Sequence, residues 1–203
     1  MDRAKADDKT DGRLRVLLID RSAERAAVLD QALQLAGYVV AAILTGSSNL
    51  YNEVKRIEPD AIIIDLDSPD RDTLEQMREI AQDRPKPVVM FAQDDDGDTI
   101  RQAVRAGVSA YVVDGLAASR IKPLLEVAIA HFSEYQALRE ELEHARSTLV
   151  ERKIIEKAKG VLMHRKGMRE DEAYKTMRKM AMDQGKRLLE VAQSILAVAD
   201  LLI

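Results

Sequence analysis

Five short apolar runs, Val16–Ile19, Val39–Leu44, Ala61–Ile64, Val88–Phe91 and Ala110–Val113, recur through the first half of the chain. Stretches of helical period separate them, such as Ala23–Ala36 with Ala26, Ala27, Leu29, Leu33 and Leu35. Near-continuous β-branched runs alternating with amphipathic helices mean strands covered on both faces, and hence a parallel sheet. The order of the runs predicts a five-stranded, doubly wound α/β domain. Folds of this kind place their chemistry at the carboxyl ends of the strands. Asp20 and Asp65 each directly follow an apolar run, so both are expected there.

The last helix of that domain does not stop where the domain should. From about Ala117 to Lys166 the first glycine is Gly160, and the one proline, Pro123, falls in the opening turns. Leu125, Ala128, Phe132, Tyr135, Leu138, Leu142, Ala145 and Leu149 advance by threes and fours with charged residues between them. Two successive three-residue steps, Phe132 to Tyr135 to Leu138, interrupt a strict heptad and predict a local change of supercoil. A monomer would leave this stripe in water. A parallel homodimer sharing a short coiled coil buries it; packing on the chain's own sheet is the alternative.

Two further helices follow Gly167. Glu170–Met182 aligns Ala173, Met177, Met180 and Ala181, and Leu188–Leu202 aligns Leu188, Val191, Ala192, Ile195, Val198, Ala199 and Leu202. Charge changes sign here as well. Residues 151–203 hold 12 Lys and Arg against 8 Asp and Glu, leaving 19 against 27 in the rest of the chain. An acidic front and a basic back predict two domains with different tasks. The cations Arg152, Lys153, Lys157, Lys159, Arg165 and Lys166 suit a phosphate-bearing partner or an acidic protein surface, although they cannot all share one face. Tyr174 could stack on a base or pack in the module.

Other features narrow the function. The 203 residues contain no cysteine, which removes disulfides and thiolate chemistry. No apolar run approaches the roughly 20 residues needed to span a bilayer, and residues 1–13 read as a polar, disordered tail, so a cytoplasmic location is expected. His131, His144 and His164 are scattered without metal-ligand spacing, and neither a GxGxxG nor a P-loop motif occurs. No metal, no cofactor and no enzymatic activity are expected. Asp94–Asp96 reads as a helix N-terminal cap.

The front domain resembles a two-component receiver across about residues 14–130, carried by Val16-Leu17-Leu18-Ile19-Asp20 and by Ile62-Ile63-Ile64-Asp65 followed by Asp67 and Pro69. The rear module resembles an ANTAR domain through Ala158-Lys159-Gly160, Glu172-Ala173-Tyr174 and Arg178. Within the AmiR/NasR family, the segments 68–76 and 105–113 look most like the NasT type. The resemblance implies a receiver-like, flavodoxin-like domain over 14–120, a coiled-coil dimerisation helix over 117–150 and a three-helix ANTAR module over 147–203. It implies a homodimer that binds tandem hairpin loops in a leader RNA and prevents premature termination, touching the transcription machinery only indirectly. It also implies a nitrate/nitrite-sensing regulatory partner. Arg152, Lys157, Lys159 and Arg178 are expected to contact RNA, because motif and cation clustering coincide there.

The receiver resemblance has gaps. A receiver holds Mg²⁺ with an acidic pair after its first strand, and here Arg21 replaces the second acid. Ala92 stands where a hydroxyl residue is expected, and Asp114 where a lysine is. Asp65 keeps the position of the phosphoacceptor. Arg21 is expected to supply the positive charge that Mg²⁺ supplies in an active receiver, where Asp20, Asp65 and Asp67 converge, its planar donor fork bridging two of the carboxylates. The rival readings are a regulator switched by acyl phosphate at Asp65, and a protein–protein adaptor.

Overall fold

The computed structural model describes residues 12–46, 49–113 and 120–201. The expected tail at 1–11, Asp114, the first positions of the long helix at 117–119, and Leu202 lie outside the described residues. The chain divides into two compact units, Met1–Gln136 and Ala137–Ile203.

In the first unit, β1 (Arg15–Asp20), β2 (Val39–Leu44), β3 (Ala61–Asp65), β4 (Val88–Ala92) and β5 (Ala110–Val113) form one parallel sheet in the order β2-β1-β3-β4-β5. All five match the apolar runs of the sequence. Strand alternation splits the core in two. Leu17, Ile19, Ile62 and Ile64 meet α2 (Leu50–Ile57), α3 (Arg71–Asp83) and α4 (Gly97–Arg105) through Val54, Met77, Ile80 and Ala103. Val16, Leu18 and Ile63 point the other way, onto Ala26, Leu29 and Leu33 of α1 (Ala23–Leu35) and onto Ile121, Leu125 and Ala128 of α5 (Ile121–Lys166). Each fully buried Leu or Ile is worth about 1.5–3 kcal/mol. The strand order reverses direction between β1 and β3, and the crevice at such a switch point lies outside their carboxyl ends.

The α5 contacts correct part of the expected dimer stripe. Leu125 and Ala128 are buried against the chain's own sheet. A helix that covers a sheet and a helix that meets a partner show the same 3.6-residue period, so spacing alone could not separate the two. Phe132 is half-buried. Beyond it, Tyr135, Leu138, Leu142, Ala145 and Leu149 are exposed in the single chain, Leu138 at 63%.

The second unit is built from the end of α5, α6 (Glu170–Gln184) and α7 (Leu188–Leu201). Its core joins Ala158 and Leu162 of α5, Ala173 and Met177 of α6, and Ala192 of α7, with Ile154, Ile155, Leu188 and Ile195 packed around them. Gly185, at φ 61°, ends α6 in the left-handed conformation that glycine adopts without strain. The Glu190 carboxylate accepts the Arg187 N–H at 2.8 Å and steadies the start of α7.

Candidate functional site

Two places carry charged side chains in arrangements that packing alone does not require. The first lies at the switch point. Asp20 and Asp65 are register partners at the ends of β1 and β3, 0% and 8% exposed. Strand geometry leaves them no choice, since a residue ending a buried strand projects where the strand ends. The Ser22 N–H donates to Asp20 Oδ1 at 2.7 Å, and Ser22 in turn caps α1 by accepting from the Arg25 N–H.

The cation in this pocket is Arg25, not Arg21. Arg25 Nη2 donates to Asp20 Oδ1 at 3.1 Å, and Arg25 Nε lies 3.7 Å from Asp65 Oδ2. Arg21 is exposed, and its guanidinium lies 4.0 Å from Asp70, the residue that caps α3. The reason is directional. Arg21 follows the strand's last residue and turns outward, whereas side chains in a first helical turn tilt back toward the N-terminus. Arg25, three residues past the Ser22 cap, therefore reaches back over the strand ends.

Burial is the largest influence on Asp65 and pushes its carboxyl above the ordinary range; Arg25 opposes this, while Asp20 and Asp67 add to it. The Arg25 guanidinium is raised, first by its hydrogen bond to Asp20. Asp67 is exposed, and its carbonyl accepts from the N–H groups of Gln93 and Asp94. Asp94 accepts from Ser68 Oγ and the Asp96 N–H, and Asp96 caps α4, as the acidic run suggested. Ala92 leaves room where a hydroxyl was expected. A cavity of about 290 Å³ lies beside it, lined by Glu24, Arg25, Val28, Leu29, Asp65, Ala92 and Gln93.

A receiver fold implies a divalent cation at this spot, and the residues present do not fit one. Mg²⁺ demands near-octahedral oxygen ligation. Here a guanidinium already sits against both buried carboxylates, Arg21 stands in place of the second acid, and no group of three His, Cys, Asp or Glu among the described residues could hold a metal. Asp20 Oδ2 has no hydrogen-bond partner, but one orphan oxygen is not a coordination sphere.

The second place is the helical module. Arg152, Lys153 and Lys157 on α5 and Arg178 on α6 are exposed, and none forms an ion pair among the described residues. Lys159 differs from the expectation. It is 7% exposed, with Nζ 2.7 Å from Glu156 Oε1 and 2.8 Å from Glu170 Oε1. Those two hydrogen bonds raise its pKa. Its charge is tied to two carboxylates of its own module, and the side chain links α5 to α6. Arg165 is engaged as well, donating to the Ala199 carbonyl near the end of α7 at 3.0 Å.

Gly160 lies within α5, inside its last two turns, on an exposed face, and a Cβ there would meet nothing within 4 Å. Lys153, Lys157, Gly160 and His164 follow one another at four, three and four residues, which sets them along one side of α5. Lys153 thus belongs to the same cationic stripe as Lys157. The i,i+4 spacing carried that signal. Tyr174 is 42% exposed on α6, one turn before Arg178.

The fold and the strand-end acids define a receiver-type regulatory domain followed by a helical effector module. The response regulator receiver domain family matches residues 16–126, and the ANTAR domain family matches residues 143–196. The chain belongs to the ANTAR-domain response regulators, a family of RNA-binding antitermination regulators. It is 31% identical over 182 residues to the transcriptional regulatory protein PdtaR of Mycobacterium tuberculosis, covering 90% of this chain and 89% of that one. It is 42% identical over 88 residues to a nitrate regulatory protein of Klebsiella oxytoca, a match spanning 43% of this chain but 22% of that protein. Among solved structures, a CheY-like receiver domain from Methanospirillum hungatei superposes with a TM-score of 0.54 at 16% identity, over 61% of this chain and 99% of that one, a likeness of fold. Neither matched family is an enzyme family. Among the described residues no helix is long and apolar enough to cross a membrane.

Proposed function

We propose that this chain is a cytoplasmic transcription antitermination regulator that binds tandem hairpin loops in a leader RNA as a homodimer. The module over 147–203 is the RNA reader, and the later part of the 117–150 helix is the dimer contact. The observation that carries the reading is a set of exposed cations without ion pairs among the described residues, Arg152, Lys153 and Lys157 on α5 and Arg178 on α6, beside the exposed Tyr174. Cations track phosphates, and an aromatic or guanidinium plane suits the splayed bases of a loop. The neighbouring acids are taken up within the module by Lys159 and Arg169.

Gly160 supports the same face. Glycine in a helix interior costs about 1 kcal/mol relative to alanine, and no neighbour here excludes a side chain. A backbone approach by a ligand is a use for the missing Cβ. Binding stabilises the hairpin form of the leader by mass action, against any competing pairing of the same RNA. The chain then acts on transcription through RNA structure, without touching polymerase.

Tyr135, Leu138, Leu142, Ala145 and Leu149 step by three, four, three and four residues, the spacing of a coiled-coil seam. Joining two modules makes the second hairpin's capture intramolecular. Nitrate or nitrite assimilation genes as targets, and a nitrate/nitrite-sensing protein as the controlling partner, rest on the NasT-type resemblance and the partial match to a nitrate regulatory protein.

Binding of the full chain to a two-hairpin RNA, compared with duplex DNA of equal charge across a salt series, tests the RNA reading. A preference for RNA that persists at high salt is expected. Equal affinities with equal salt slopes would leave only generic polyanion attraction.

A further inference from the structure

We propose that Arg25 is the resident cation of the receiver pocket: its guanidinium holds the two strand-end carboxylates, Asp20 and Asp65, in the place where a receiver otherwise uses a divalent metal ion. Two register-paired acids, one fully buried and one nearly so, repel each other and need a positive charge between them. The geometry supplies one from within the chain, at 3.1 Å from Asp20 and 3.7 Å from Asp65. A guanidinium is permanently protonated and presents several donors in one plane, so a single side chain can serve both acids.

The position of Arg25 supports this independently. It is the third residue after the cap of α1, in the first helical turn. Cations are disfavoured there by the helix dipole and prefer the last turn. An arginine placed against the dipole has a compensating partner, and here Asp20 is that partner. Ser22 binds the two together: its N–H donates to Asp20 while its hydroxyl accepts from the Arg25 N–H. Strand end, cap and cation form one local unit within six residues, 20–25, of the chain.

The pocket therefore does not depend on Mg²⁺, and taking Arg25 away should leave two buried carboxylates without a counter-charge. All the groups involved lie in the receiver unit, so failure of this proposal leaves the RNA reading intact.

The test is the thermal unfolding of the full chain in EDTA, in MgCl₂, and in KCl of matched ionic strength. The expected result has four parts. Wild type melts alike in all three buffers. Arg25→Gln melts lower than wild type in all three buffers, because it leaves Asp20 and Asp65 without their counter-charge. Asp20→Asn/Arg25→Gln, with neither charge, returns toward wild type and ignores Mg²⁺. Arg21→Ala behaves as wild type, because Arg21 lies outside the pocket. A Mg²⁺-dependent rise in the wild type would overturn the proposal, as would an Arg25→Gln variant that melts like wild type in all three buffers. If Arg25→Gln gives no folded protein, the double variant decides: wild-type-like melting upholds the resident cation, and failure to fold there as well overturns it.

Discussion

Gly107 adopts φ +100°, and a Cβ added to it would lie 2.6 Å from the Cβ of Ala81 on α3. Gly107→Ala therefore suffers twice, from a left-handed backbone worth about 1–2 kcal/mol and from overpacking worth about 1–3 kcal/mol. The receiver unit should lose roughly that sum on urea unfolding, although neither effect is fully additive. A loss below about 0.5 kcal/mol, the range of ordinary surface changes, would mean that the α4–β5 turn is placed wrongly.

Asp65 sets a second expectation at this scale. Its folded pKa lies above its unfolded value, chiefly through burial. The favourable, protonated form is lost as pH rises through that folded value, so at neutral pH the ionised carboxylate destabilises the fold. Asp65→Asn should be more stable than wild type at pH 7, and the advantage should shrink as the pH is lowered through the folded pKa toward the unfolded one. Asp70 works in the opposite sense. The Thr73 hydroxyl and N–H hold its carboxyl below the usual range, and that stability is lost as pH falls. Melting both proteins across the acid range and taking the difference isolates Asp65. A constant difference at all pH values would contradict the assignment.

The two acids were legible in the sequence because a residue ending a buried β-branched run has little freedom. Arg25 was not, since the same letters allow Arg21 to be the counter-charge. What distinguishes them is the tilt of side chains in a first helical turn, which appears only once the cap at Ser22 is known.

At the scale of elements, α5 serves two cores. Ile121, Leu125 and Ala128 belong to the sheet, and Ile154, Ala158 and Leu162 belong to the helical module. Periodicity identified the helix and its apolar stripe without revealing where one core ends and the exposed seam begins. Leu142→Glu with Leu149→Glu tests that seam. Both positions are exposed in the single chain, so the double variant should leave monomer folding near wild type. In a dimer it sets like charges against each other and desolvates them, at several kcal/mol. Sedimentation should show monomers and a loss of tight binding to paired hairpins. A fully dimeric variant would mean that the contact lies elsewhere.

Lys159 shows a similar limit. The motif and the charge were visible; the approach of α6, which buries the side chain between Glu156 and Glu170, was not. Lys159→Ala should lower the stability of the module by about 1 kcal/mol or somewhat more, the range for hydrogen bonds between charged groups, discounted because both carboxylates are largely exposed. Any fall in RNA binding should track the loss of helicity, measured by circular dichroism. Weakened binding with unchanged melting would return Lys159 to the interface.

Across the whole molecule, charge is divided between the two halves: the chain carries a formal net charge of −4, yet residues 151–203 hold 12 basic against 8 acidic side chains. On the proposed RNA reading, the acidic receiver adds no attraction for nucleic acid, so affinity comes from a few exposed cations of the module, reinforced by the proposed dimer. The measurement that bears on this most directly is the salt dependence of binding to a two-hairpin RNA, for wild type, Lys157→Ala and Arg178→Ala, with melting as the control for folding. Each variant should melt like wild type, bind more weakly, and lose about one ion from the slope of log affinity against log salt. Wild-type affinity and slope in both folded variants would remove this face from RNA recognition.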